Sequence, residues 1–225
     1  MLREPEIDEA LTALDRAVVE AVRARLAAGG WPSGDAAAIA LRPFLSGCAP
    51  SEAAAVKAVM GRLEAARAPL VASGGLAQGL AADRFGLAVR PVADVEAALK
   101  AVDNGARAVL DLGGRPWWGR LLARPDLRIV AALPDDRLSR PQAFVVARET
   151  TGPTGDDRSF WVTDSGWTDA RIVQALSGAG LAAEPLAASG GLKLFMLAGY
   201  VQAEDGRLHD APGSLSGVIG AAPLF

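Results

Sequence analysis

Residues 92–114 read VADVEAALKAVDNGARAVLDLGG, and two periodicities divide them. Val92, Val95, Leu99 and Val102 recur at intervals of three and four, the spacing of one helical face. Asn104 and Gly105 end that run, because both tolerate the left-handed conformation that closes a helix. Ala108 to Leu112 then reads as a buried strand, with Gly113 and Gly114 as its turn. Phe85 to Val89, upstream, is a further short apolar stretch. Strand, helix, strand is the unit of a parallel α/β layer.

Downstream, Pro116 to Ala123 predicts a helix and Leu127 to Leu133 a strand that Pro134 ends. Gln142 to Arg148 is a strand, and Glu149 to Asp157, with Gly152, Pro153, Thr154 and Gly155, a loop. Ser159 to Thr163 reads as a strand and Thr168 to Leu176 as a helix bounded by Gly166 and Gly178. Leu192 to Tyr200 and Val218 to Ala222 are strands separated by the polar turn Glu204-Asp205-Gly206. The last third therefore has the order of a small α+β sandwich.

Upstream the character is helical. Ile7, Leu11, Leu14, Val18, Val22 and Leu26 line one face of a helix from about Glu6 to Ala28, which Gly29-Gly30-Trp31-Pro32 ends. A second helix fits Ala36 to Leu45, with Pro43 distorting its last turn. A third opens at Ser51 and Glu52, carries Val56, Val59, Met60, Leu63 and Leu70 on its apolar face, and closes at Ser73-Gly74-Gly75. So short a set of helices buries little apolar surface alone, and a homodimer would supply the missing core.

The inventory of 225 residues removes several mechanisms. One cysteine (Cys48) excludes an internal disulfide, and one histidine (His209) leaves no Cys/His zinc cluster. With 23 Lys and Arg against 26 Asp and Glu, the net charge is −3 and no basic block points to nucleic acid. The longest uncharged stretch, Ala68 to Ala82, is too short and too polar to cross a membrane, and the acidic start Arg3-Glu4-Pro5-Glu6 is no signal peptide. The expected location is cytoplasmic.

The glycine pairs match no phosphate-binding pattern, so turn duty accounts for them. His209 sits in a polar stretch and reads as a solvated loop histidine, and nothing near Cys48 lowers its pKa, so it reads as an inert thiol. Trp117 and Trp118 are adjacent, so one core should not take both; packing is weighed ahead of a groove or interface role. Arg16, Arg23, Arg25, Arg42, Arg62 and Arg67 lie on the three helices. Either they solvate amphipathic faces or they converge on an anionic ligand through bidentate bonds.

Ile7 to Arg16 through Arg25 resembles the opening helix of the all-helical chorismate mutases, and the two following helices are similar to the rest of that fold. Arg84-Phe85-Gly86, the helix Val92 to Val102 and Gly105 to Leu110 resemble part of prephenate dehydratase, a fusion partner of such mutases. Ser159 to Val162, Gly166, the strand Lys193 to Gly199 and the ending Gly217 to Pro223 are similar to the ACT-type regulatory domain of those enzymes. The implied fold class is α+β: an N-terminal all-helical chorismate mutase-like bundle (residues 1–73), a shortened dehydratase-like α/β region (74–148) and an ACT-like α+β sandwich (149–225).

The resemblance implies conversion of chorismate to prephenate by Claisen rearrangement, with no cofactor and no metal. Arg25 would be catalytic, Arg25, Arg42 and Arg67 would hold a dicarboxylate such as chorismate or prephenate, and Gly166 would belong to an effector site. Departures are specific. Gly29-Gly30-Trp31-Pro32 replaces the stretch that bears the family's lysine, Asp35-Ala36-Ala37 stands where Arg-Glu is expected, and Asp157-Arg158-Ser159-Phe160 is the nearest approach to the dehydratase Thr-Arg-Phe. Dehydratase activity is not expected. The alternative is a catalytically degenerate relative that binds a ligand or serves regulation or interaction.

Overall fold

The computed structural model describes residues 9–27 and 34–225. In chain order the elements are α1 (Glu9–Ala27), α2 (Gly34–Leu45), α3 (Pro50–Ala65), β1 (Leu70–Ser73), α4 (Gly75–Phe85), β2 (Arg90–Pro91), α5 (Val95–Asp103), β3 (Arg107–Asp111), β4 (Arg128–Leu133), β5 (Ala143–Ala147), β6 (Asp157–Thr163), α6 (Asp169–Gly178), β7 (Ala183–Ser189), β8 (Leu192–Ala198) and β9 (Ser216–Pro223). Short 3-10 segments lie at Trp117–Ala123 and Gly206–Leu208. The strands form one mixed sheet in the order β2-β1-β3-β5-β4-β9-β6-β8-β7. Among the described residues no helix is long and apolar enough to cross a membrane.

The stretch 92–114 folds as its periodicities require. The Asp94 carboxylate accepts from the Ala97 N–H at 2.8 Å and caps α5, Gly105 takes φ +84 beyond its end, and β3 is buried at Ala108, Val109 and Leu110. The preceding strand is a correction. Phe85 closes α4, β2 is only Arg90–Pro91, and β1 lies between β2 and β3, parallel to both. The third helix also stops earlier than expected, at Ala65. Leu70–Ser73 is a wholly buried strand, and Gly75–Phe85 is a helix the sequence did not announce.

The last four strands run antiparallel in the order fourth, first, third, second (β9-β6-β8-β7), with α6 after the first. This is the split βαββαβ arrangement, with the single turn Gly206–Leu208 where a second helix would stand. The α+β class of this part follows directly. It does not stand apart, because β4 and β9 pair in parallel at Ile129 and Gly220 and make the sheet continuous. Gly220 has φ +147, and a Cβ there would lie 2.2 Å from the Ile129 carbonyl oxygen, so only glycine allows this approach.

One face of the sheet carries Leu110, Phe144, Phe160, Leu194 and Ile219 under α5 and the first 3-10 segment. Phe144 meets Trp117 and Phe160 edge-on at centroid distances of 6.2 and 4.7 Å. Both tryptophans are 1% exposed in this core. The expectation that one core could not take the pair fails because Trp117, Trp118 and Leu121 of the 3-10 segment are all buried in the same cluster. The Trp117 indole N–H donates to the Asp111 carbonyl at 2.7 Å. The opposite face packs Ala77, Ala81 and Phe85 of α4 on Val109 and Val145, and Ile172 and Leu176 of α6 on Trp161 and Phe195.

The first three helices form as elements, but a bundle closed on itself is not what the described residues make. Leu41, Leu45, Val56 and Met60 form a small cluster completed by Ala17 and by Phe225 from the far end of the chain. Helix α2 lies against β9, and α3 against α1 and α4. These helices cap the sheet.

Candidate functional site

Residues 134–141, between β4 and β5, organise the charged side chains. Asp135 is 7% exposed and receives the Lys57 ammonium from α3 and the Arg84 Nε, at 2.9 Å, from α4. Burial alone would raise its pKa, but Arg84 and Lys57 outweigh that and hold the carboxyl below its ordinary value. Asp136 folds the loop onto itself, accepting the N–H groups of Leu138 at 2.9 Å and Ser139 at 2.7 Å.

Arg158 then fastens the loop to β6. Its Nη1 donates to the Ser139 carbonyl and its Nη2 to those of Asp136 and Arg137, all at 2.9 Å. It shares a strand face with Phe160 and Val162, which is why its guanidinium is carried under the loop and left 7% exposed. Burial pushes its pKa down, countered by Asp136, Glu184 and Asp156 at longer range, and a guanidinium stays charged there.

Arg42 reaches the same region from α2. Its Nε and Nη2 donate to the Leu224 carbonyl at 3.1 and 2.9 Å, its Nη1 to the Thr154 carbonyl at 2.9 Å, and its Nη2 also to Thr154 Oγ1 and the Asp156 carbonyl. Among the described residues neither Arg42 nor Arg158 forms an ion pair; Arg137, 62% exposed at its side chain, pairs with Asp156.

Two grooves meet at Arg137. One, of about 580 Å³, lies between this loop and the β6-β8-β7 face, with Arg137, Arg158 and Glu184 beside Met196, Ala182 and Leu224. The other, of about 500 Å³, runs between α2 and α3 and is lined by Arg42, Lys57, Leu45, Ala53 and Phe225. Such volumes suit small organic molecules. A third space, about 40 Å³, lies under α2 and α3 beside Arg107, Glu64 and Glu149 and has room only for water.

Of the residues anticipated from sequence whose side chains are described, only Arg42 joins this region. The side chain of Arg25 lies outside the described residues. Arg67 is exposed in the turn after α3 and lines none of these grooves, so the structure does not bring it to Arg42. Gly166 is exposed between β6 and α6, with open space where a Cβ would stand. His209 is exposed at the end of a 3-10 turn. The Cys48 thiol is pushed up by burial, then by Glu52 and Glu20, which leaves it a poor nucleophile. Lys57, Arg137 and Arg158 were not anticipated. A charged residue at an apolar-parity position, Arg158 before Phe160 and Val162, was the legible signal for one of them.

No family model matches the chain, and no curated protein matches it either. Among solved structures the chain is similar to GqqA, described as a novel type of quorum quenching acylase, at 16% identity and a TM-score of 0.48, over 69% of this chain and 95% of that one. It is also weakly similar to a prephenate dehydratase in complex with L-Phe from Arthrobacter aurescens, at 13% identity and a TM-score of 0.38, over 69% and 90% of the two chains. Likenesses this distant carry no residue role across.

Proposed function

We propose that the chain is a ligand-binding protein whose groove beside Arg137 and Arg158 takes a small organic anion, a carboxylate on an apolar body. The observation that supports this most is the contrast within that groove. Arg158, buried and bonded only to neutral carbonyls, keeps its charge without a carboxylate partner, and Met196, Ala182 and Leu224 supply an apolar wall next to it. The ligand's carboxylate would meet Arg158 and draw Arg137 from Asp156. No nucleophile with an adjacent base lies in the groove, so binding is the activity its residues suit.

Thermal denaturation with chorismate, prephenate, phenylalanine and tyrosine tests the reading. A ligand at a hundred times its Kd stabilises the folded state by about 2.7 kcal/mol. The exposed variant Arg137→Ser should keep the fold and lose that stabilisation. No response to any of the four compounds would reject this ligand class.

Rearrangement of chorismate in an arginine-lined helical pocket, with Arg25 as its catalytic cation, is the rival reading. The order of α1, α2 and α3 and their shared apolar cluster favour it. Loss of chorismate absorbance with wild type, abolished in Arg25→Ala, would establish it. Against it, the Arg42 guanidinium is already engaged with three carbonyls. A cytoplasmic homodimer belongs with either reading as a proposal.

A further inference from the structure

Residues 149–157 cross from β5 to β6 as a strap, held at its two ends by strand residues and along its middle by residues outside the sheet. Arg107 bonds Glu149 at one end through Nε at 3.0 Å and Nη2 at 2.6 Å. The Tyr200 hydroxyl donates to the Thr151 carbonyl at 2.6 Å. Asp35 Oδ2 accepts the Gly152 N–H at 2.6 Å, and Arg42 takes the carbonyls of Thr154 and Asp156. Asp157 closes the far end, accepting both the N–H and the hydroxyl of Thr154, at 2.8 and 2.7 Å.

Asp35 and Arg42 stand seven residues apart on α2, two helical turns, and so share a face. One holds a strap N–H, the other strap carbonyls, 112 to 117 positions away in sequence. Pro153, Gly155, Asp156 and Asp157 of this strap wall the larger groove, which contains neither Asp35 nor Arg42. We infer that Asp35 and Arg42 are positioning residues that act on the groove through the strap, so that the docking of α2 sets the groove's width and the placement of Asp156 opposite Arg137.

The inference rests on the binding reading for its functional half but has a ligand-free test of its own. Arg42→Lys keeps the charge yet presents one nitrogen where three now bond. Hydrogen exchange is measured on the full chain for the Gly152 and Thr154 amides and, as a control for the fold, for β6 and β8 amides. The expected result is about tenfold faster exchange in the strap with the sheet amides unchanged. Titration with prephenate, the probe used here, should show affinity about tenfold weaker than wild type. Arg42→Lys, should it prove too unstable, is replaced by Asp35→Ala, which removes the Gly152 hold alone and should loosen the same two amides.

Unchanged strap exchange in folded Arg42→Lys would overturn the inference, as would a loosened strap with unchanged prephenate affinity. If wild type binds none of the four compounds, the binding reading fails, and the exchange result alone decides whether α2 positions the strap.

Discussion

Two charged regions flank α2 and α3, and they are wired differently. Between α3, α4 and the sheet, Lys57, Arg84 and Arg107 each meet a carboxylate: Lys57 and Arg84 share Asp135, while Arg107 bridges Glu64 and Glu149. Beyond the 134–141 loop, Arg42 and Arg158 meet neutral oxygens alone. Breaking a neutralised knot strands buried charge, so such a knot secures architecture. A guanidinium bonded to neutral oxygens holds the chain and keeps charge for something else. The groove lies in the second region.

The largest effect should come from breaking the first region. Asp135→Asn leaves Lys57 and Arg84 without their anion in a buried place, and unfolding by denaturant should report a loss of about 3 to 5 kcal/mol. The same contact has a pH sign. Because the folded carboxyl lies below its ordinary value of about 3.8, its contribution is complete above that value and drains away as pH falls through the lower folded value. Acid unfolding of wild type should therefore be steeper than that of Asp135→Asn.

Arg158→Met tests the second region and should cost less, about 2 kcal/mol, because it frees three loop carbonyls that water can reach in part. Its ligand stabilisation should vanish entirely. A loss of stability as large as that of Asp135→Asn would erase the distinction between the regions.

The smallest effect concerns Asp35. Its Oδ1 is buried and without a hydrogen bond among the described residues, and its pKa is raised by burial, then by Asp157 and Glu149, against the lowering bond from Gly152. A raised folded value means that its contribution is present below about 3.8 and is lost as pH rises through the folded value. Relative to wild type, Asp35→Asn should therefore gain stability as pH rises above about 4, as thermal melts across a pH series would show. A constant difference would contradict the assignment.

Much of the sheet was legible because its strands are apolar runs between glycine and proline punctuation: β3, β4, β5, β6, β8 and β9 fall where residues 108–112, 127–133, 142–148, 159–163, 192–200 and 218–222 put them. Strand β1 was not, because Leu70–Ser73 is buried on both faces and shows no alternation, and so continues the apolar pattern of α3. Edge strand β7 hides for the opposite reason: Pro185 and its alanines give no apolar stripe. The site was less legible still. Arg42 was singled out for converging with other helical arginines, but its partners are carbonyls 112 to 182 positions away, and only the folded sheet brings these together.

The central claim is that the ligand is read by Arg137 and Arg158 in the groove rather than by Arg25 in the helices. Calorimetric titration of wild type, Arg137→Ser and Arg25→Ala with prephenate tests it most directly. Binding to wild type and Arg25→Ala, weakened about tenfold or more in Arg137→Ser, is the result predicted here. Binding that survives in Arg137→Ser and disappears in Arg25→Ala would contradict it.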